Sequence, residues 1–293
     1  MSFAIVTDTS ANLPSDLIQK YALTIVPFTF YINGAEHVDM DAELFDAANF
    51  FAAMRAGVKV TTSQIPPQRY IDCFEPLLQA GNDVLYVGMS SGISGSYASS
   101  EIAAAEMREK YPGRKLRCID TYGASLGEGL QVLRACELRE AGKSVDEAAD
   151  ILLEERKRMC QVFTVGDLKY LRATGRLSGV ATIVGTMLSI KPVLKGNELG
   201  QIVLSGKVRG RRQVIEDLAA RYAADVRSPE TQAIGIAHCD CRADADMLIK
   251  LIHQSGKVPK EILLVDYEPV TGSHLGPNSL ALFFWSDDTV RSR

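Results

Sequence analysis

From Asp83 to Tyr97 the chain reads Asp-Val-Leu-Tyr-Val-Gly-Met-Ser-Ser-Gly-Ile-Ser-Gly-Ser-Tyr. An apolar run of strand length gives way to alternating serine and glycine, and Ala98 to Lys110 then has the pattern of a helix. Strand, small-residue loop and helix together make the shape of a ligand site at the carboxyl edge of a parallel sheet. Such a loop offers hydroxyls, close backbone approach at glycine, and unpaired N–H groups at the helix start. All three suit an anion.

Other residues could also do chemistry. Gly88-Met89-Ser90-Ser91-Gly92 matches the G-x-S-x-G nucleophile elbow, and chain order allows Ser90 an acid at Asp120 or Asp266 and a base at His274. A true elbow starts its helix directly after the serine, whereas Gly92 and Gly95 delay it here. A serine hydrolase or esterase is therefore the second reading, not the first. Val60-Thr61-Thr62-Ser63-Gln64-Ile65-Pro66-Pro67 sets polar side chains at a helix entrance, where they either cap the helix or meet a ligand. The prolines keep this stretch extended. Gly206-Lys207-Val208-Arg209-Gly210-Arg211-Arg212 packs four cations into seven residues but fails as a phosphate-binding P-loop, because Val208 stands where Ser or Thr must be. One or two of these arginines could instead fork onto a phosphate or carboxylate. His274 is framed by turn residues that would hold a fixed loop, which favours a functional reading. Cys239-Asp240-Cys241 beside His238 lacks zinc-finger spacing and a second ligand pair, so buried thiols are expected rather than a metal.

The elements that must carry these residues alternate through the first half. Strands are expected at Phe3 to Val6, Thr24 to Ile32, the run before Gly88, and Leu116 to Ile119. Helices are expected after Pro14, over Asp41 to Ala56 and Gln68 to Ala80, and from Ser144 to about Arg158. Alternation of this kind argues for a doubly wound, mainly parallel sheet. From about Met159 the pattern mixes hairpins and crossovers. Helices are expected at Asp167 to Arg172, Ala181 to Leu188, Arg211 to Ala224 and Ala243 to Ser255. A strand pair, Ser189 to Leu194 and Gly200 to Val208, lies among them, with Gly272 to Asn278 as a loop near the end. The expected organisation is an N-terminal α/β domain over 1–158 and a C-terminal α/β domain with a mixed sheet over 159–293.

The 293 residues are 46% hydrophobic and 23% charged, which fits a globular chain with a substantial core. A net charge of −4 gives no general pull toward nucleic acid, and at most transient contact with a membrane is expected. The opening residues are too short and too uncharged for a signal peptide, and six cysteines without one are expected as free thiols in the cytoplasm.

Several short motifs, each weak alone, occur in a fixed order. They are Thr62-Ser63-Gln64, then Ser90-Ser91-Gly92-Ile93-Ser94-Gly95-Ser96-Tyr97, then Leu171-Arg172-Ala173-Thr174-Gly175-Arg176-Leu177-Ser178. Ile190-Lys191-Pro192-Val193-Leu194, Lys207-Val208-Arg209-Gly210-Arg211 and His274-Leu275-Gly276-Pro277 follow. The ordered set resembles the DegV family of bacterial cytoplasmic proteins over nearly the whole chain. The resemblance implies two α/β domains and a long-chain fatty acid, such as hexadecanoate, whose acyl chain occupies a tunnel in the N-terminal domain. It places the carboxylate-binding threonine at Thr62 and the carboxylate-binding serine at Ser94. In members that serve a fatty acid kinase, the phosphate-facing or partner-facing positions fall on Arg176, Arg209 and His274. The chain departs from the family at Leu275 and Asn278, where threonine and glycine are usual, and at Ser96, which replaces threonine but keeps a hydroxyl. No nucleotide motif is present, so the resemblance implies a carrier without a cofactor, and not a complete enzyme. ATP and magnesium would come from a separate kinase subunit. A plain interaction module is the remaining alternative.

Overall fold

The computed structural model describes residues 3–38, 45–178 and 190–293. The expected helix Ala181 to Leu188, and the first residues of the one expected from Asp41, lie outside them. Contacts divide the chain into two compact units, Met1–Phe45 with Val60–Arg156, and Asp46–Lys59 with Lys157–Arg293.

In chain order the first elements are β1 (Ala4–Asp8), α1 (Ser15–Lys20), β2 (Thr24–Val26), β3 (Thr29–Ile32), β4 (Ala35–Val38) and α2 (Ala47–Arg55). Then come β5 (Val60–Ser63), α3 (Pro67–Gln79), β6 (Val84–Gly88), α4 (Ser96–Lys110), β7 (Leu116–Asp120), α5 (Leu126–Glu140) and α6 (Val145–Glu155). All elements named so far except α2 belong to the first unit. Its main sheet has the order β2-β1-β6-β7 with every pairing parallel. β6 is buried at all five positions, as expected of a strand covered on both faces. α3 turns Tyr70, Phe74 and Leu78 inward at a spacing of four, and Tyr70 and Phe74 meet Tyr86 of β6 ring to ring. α6 starts with a full capping box between Ser144 and Glu147.

The expected single strand Thr24 to Ile32 is two strands in two sheets. Pro27 has no N–H to give a ladder, and the chain changes direction there. Arg69 secures the bend by donating from Nη1 to the Pro27 carbonyl and to Thr29 Oγ1, both at 2.9 Å. β3 then joins a small antiparallel sheet of order β4-β3-β5. Its hairpin turns on Asn33 and Gly34, both at positive φ (49° and 88°), the conformation that a two-residue primed turn requires.

The second unit continues with β8 (Met159–Thr164), α7 (Lys169–Ala173), β9 (Ile190–Gly196), β10 (Ile202–Arg209), α8 (Arg211–Asp225) and β11 (Ala233–His238). It ends with α9 (Arg242–Gln254), β12 (Glu261–Asp266), α10 (Pro269–Leu275) and β13 (Leu280–Trp285). Its mixed sheet has the order β10-β9-β8-β13-β11-β12, with only β11 and β12 parallel to each other. α8 and α9 cover it with Leu218, Tyr222, Leu248 and Ile252, all fully buried. α2 also belongs here. Its Phe50, Phe51 and Met54 are buried, and the Phe51 ring lies against Gly272 of α10.

The loop expected over Gly272 to Asn278 is mostly helix. Glu268 caps α10 by accepting the N–H groups of Val270 and Thr271, and Pro269 stands in its first turn, where a missing N–H costs nothing. His274 therefore sits on the last turn of a helix, not on a free loop.

Candidate functional site

Thr62 stands on β5 in register with Phe30 of β3, and its side chain is half-buried. β5 ends one residue later, and the following residues run against the loop between β6 and α4. The Ile65 N–H donates to Ser96 Oγ at 3.1 Å, and Gln64 Nε2 donates to Ser99 Oγ at 3.3 Å. A Cβ at Gly95 would come within 2.0 Å of Gln64 Oε1, so glycine is what lets the two segments lie so close. The T-S-Q strand and the serine-glycine loop, 30 or so residues apart in sequence, thus form one site wall.

Ser94 lies in that wall, half-buried. Its hydroxyl donates to Ser96 Oγ at 2.9 Å, and its Oγ accepts the Ser96 N–H at 3.2 Å. Ser96 itself is fully buried and opens α4, two residues before the expected start. A helix N-terminus and two linked hydroxyls can hold a carboxylate without a full counter-charge. Ser96 is the residue whose part the sequence hid. Its only signal was that the family position usually carries a hydroxyl.

Ser90 is buried rather than presented at an elbow, and its Oγ accepts the Gly92 N–H at 3.1 Å. Its own N–H donates to the Gly123 carbonyl. Asp120 Oδ1 accepts the N–H groups of Ser91 and Tyr122, which are turn-closing contacts. Asp266, the other acid of the hydrolase reading, faces His238 Nδ1 at 2.9 Å. The geometry around Ser90 and Asp120 is that of a structural turn.

In the second unit the structure brings Arg176 and His274 into one electrostatic environment. Burial pushes the His274 imidazole down to about 4, and the nearby Arg176 guanidinium adds to the effect. Arg176 also donates to the Thr174 carbonyl. Arg209 is exposed at the end of β10, in register with Ile190, and Arg211 is taken up by Asp244. Asn278 stands at φ 61°, a left-handed conformation that asparagine tolerates better than most residues, and its Oδ1 accepts from Arg55. Leu275 is buried. Cys239 is buried, Cys241 Sγ donates to the Ser279 carbonyl, and burial pushes the Cys241 thiol up to about 12. No group of three or more His, Cys, Asp or Glu could hold a metal ion among the described residues. Nor is any helix among them long and apolar enough to cross a membrane.

Comparison with known proteins gives a consistent result. The family described as "Uncharacterised protein, DegV family" matches over residues 2–287. A DegV domain-containing protein of Clostridium perfringens is 36% identical over 287 residues, covering 97% of this chain and 98% of the relative. The fold matches a solved structure described as fatty acid binding of a DegV family protein from Thermus thermophilus, with TM-score 0.88 and 30% identity. That match covers 98% of this chain and 100% of the other. A fatty acid binding DegV family protein from Streptococcus agalactiae matches at TM-score 0.84 and 26% identity, over 98% and 99% of the two chains. With its ordered motifs, its two α/β units and these matches, the chain belongs to the DegV family.

Proposed function

We propose that this protein binds a long-chain fatty acid, with Thr62 and Ser94 holding the carboxylate and the acyl chain enclosed within the first unit. The observation that carries the reading is the hydrogen bond from the Ile65 N–H to Ser96 Oγ, which draws the Thr62 strand onto the Ser94 loop. The fatty acid binding described for the Thermus and Streptococcus relatives supports it.

The wall also explains how a neutral site holds an anion. Hydroxyl hydrogens rotate to suit their surroundings. With a carboxylate present, Ser96 Oγ accepts from Ile65 and donates to Ser94, which turns its own hydrogen to the ligand. Ser94 Oγ is then polarised by two donors, the Ser96 N–H and the Ser96 hydroxyl. A hexadecanoate tail of about 15 methylenes contributes ~0.8 kcal/mol each, or ~12 kcal/mol before association costs. The tail supplies the affinity and the head group sets the direction.

We propose further that the protein is a non-catalytic carrier that presents its ligand to a separate kinase for acyl-phosphate formation. Arg176, Arg209 and His274 would face the incoming phosphoryl group. The Arg176–His274 proximity and the family resemblance support this. A neutral His274 offers the phosphoryl oxygens a hydrogen bond without a fixed charge, while an arginine offsets charge as it develops.

Mass spectrometry of ligand extracted from the denatured protein is expected to release a long-chain fatty acid. Thr62→Ala with Ser94→Ala is expected to weaken fatty-acid binding at least tenfold. Full retention of binding by that pair would overturn the head-group assignment.

A further inference from the structure

A pair of carboxyl groups sealed beneath the carboxyl edge of the parallel sheet plays no part in the head-group chemistry above. Asp8, the last residue of β1, is fully buried, and so is Glu128 in the first turn of α5. Ser10 Oγ is within hydrogen-bond distance of both, touching Asp8 Oδ1 and lying 2.7 Å from Glu128 Oε2. A serine hydroxyl has one hydrogen and can donate to only one of them. The second contact needs a proton carried by a carboxyl group. Two ionised carboxylates bridged by one atom in dry surroundings would also repel each other, and such pairs bind a proton.

Asp8 is held by a ring of donors. Asp8 Oδ1 accepts the Ser10 N–H at 3.0 Å as well as the Ser10 hydroxyl. Asp8 Oδ2 accepts the Tyr86 hydroxyl at 2.7 Å and the Met89 N–H at 3.3 Å. Four donors converge on this one carboxylate, and Glu128 Oε1 accepts the Thr7 hydroxyl at 3.0 Å. The Tyr86 hydroxyl reaches Asp8 because residue 88 is glycine, where a Cβ would fall 2.1 Å from the phenol oxygen. Tyr70 in turn donates to Tyr86 at 2.9 Å.

We propose that Asp8 and Glu128 share a single proton through Ser10, carried on Glu128, so that Asp8 persists as an anion that positions the start of the Ser90–Ser94 loop through the Met89 N–H. Asp8 is a positioning residue here. The titratable groups facing the pair include Tyr70 and Tyr86, both pushed well up by burial, so they keep their protons across the neutral range. The dyad is the part of the cluster that titrates. Burial raises the Asp8 carboxyl above its usual value, and the four donors offset only part of that rise.

The test is infrared spectroscopy of the full chain at neutral pH, reading the carbonyl stretch of a protonated carboxyl group. The wild type should show this band, and Glu128→Gln should lose it while keeping its fold, because the amide still donates to Ser10 and accepts from Thr7. Asp8→Asn should lose most of its folded population, since an amide cannot accept four hydrogens. The pH dependence gives a second readout. Because the folded state keeps a proton that the unfolded chain releases above about 4.3, the wild-type folding constant should fall by up to tenfold more per pH unit than that of Glu128→Gln. Absence of the band from the wild type overturns the proposal, as does its survival in Glu128→Gln. Should Asp8→Asn not fold at all, the wild type and Glu128→Gln still decide the question.

Discussion

Replacing Ser96 by alanine tests the wall that joins the two ligand segments. Ser96 is fully buried, and its Oγ is the acceptor for the Ile65 N–H at 3.1 Å and for the Ser94 hydroxyl at 2.9 Å. Alanine strands the N–H of Ile65, a residue itself fully buried, at a cost of roughly 1–3 kcal/mol, and removes a hydroxyl pair worth about 0.5–1.5 kcal/mol. A loss of about 2–3 kcal/mol of stability is expected, read from urea denaturation followed by circular dichroism. Hydrogen exchange localises the effect, because the Ile65 amide should lose protection before the amides of β5 do. Fatty-acid affinity should fall roughly three- to tenfold, the equivalent of one lost hydrogen bond at the head group. Ser96→Thr keeps the oxygen and should stay nearer the wild type than Ser96→Ala in all three measurements. An unchanged Ile65 amide together with wild-type stability in Ser96→Ala would refute the reasoning, because the segments would then be held together by something else.

Two further outcomes follow from single groups. His274 is held down to about 4 by burial and by Arg176, against an unfolded value near 6.5. The unfolded chain therefore takes up a proton that the folded chain refuses, so stability is intact above about 6.5 and declines as pH falls toward 4, by roughly 3 kcal/mol in total. An NMR titration should show a neutral His274 imidazole at pH 6, and His274→Gln should remove that part of the acid slope. Ser144→Ala should cost about 1 kcal/mol by removing the N-cap of α6, and should let the Glu147 carboxyl rise from about 2 toward the usual carboxylate range, read by carbon-13 titration.

Much of this molecule could be read one residue at a time. The buried run of β6, the helix expected from Gln68 (one residue after its actual start), the Ser144 cap, the Asn33-Gly34 turn and the β9–β10 hairpin all carry their signals within a few residues. Steric limits on φ, capping chemistry and side-chain periodicity act at that range, so local sequence is enough to write them. The ordered motifs likewise carry the family resemblance in the sequence alone, because each is a short contiguous string.

What only the tertiary structure decided depends on residues far apart in the chain. Thr24 to Ile32 has uniform strand character, and it was the partner strands on either side of Pro27 that split it between two sheets. Gly272 and Ser273 have the composition of a loop, yet packing against Phe51 and the Glu268 cap make them helix. Ser96 looks like one more small residue until the Ile65 amide is seen to need it. The Asp8–Ser10–Glu128 cluster joins atoms 118 residues apart in sequence, a pairing that no local pattern encodes. Hydrogen bonds and desolvation are set by distance in space, and chain folding is what converts remote positions into neighbours.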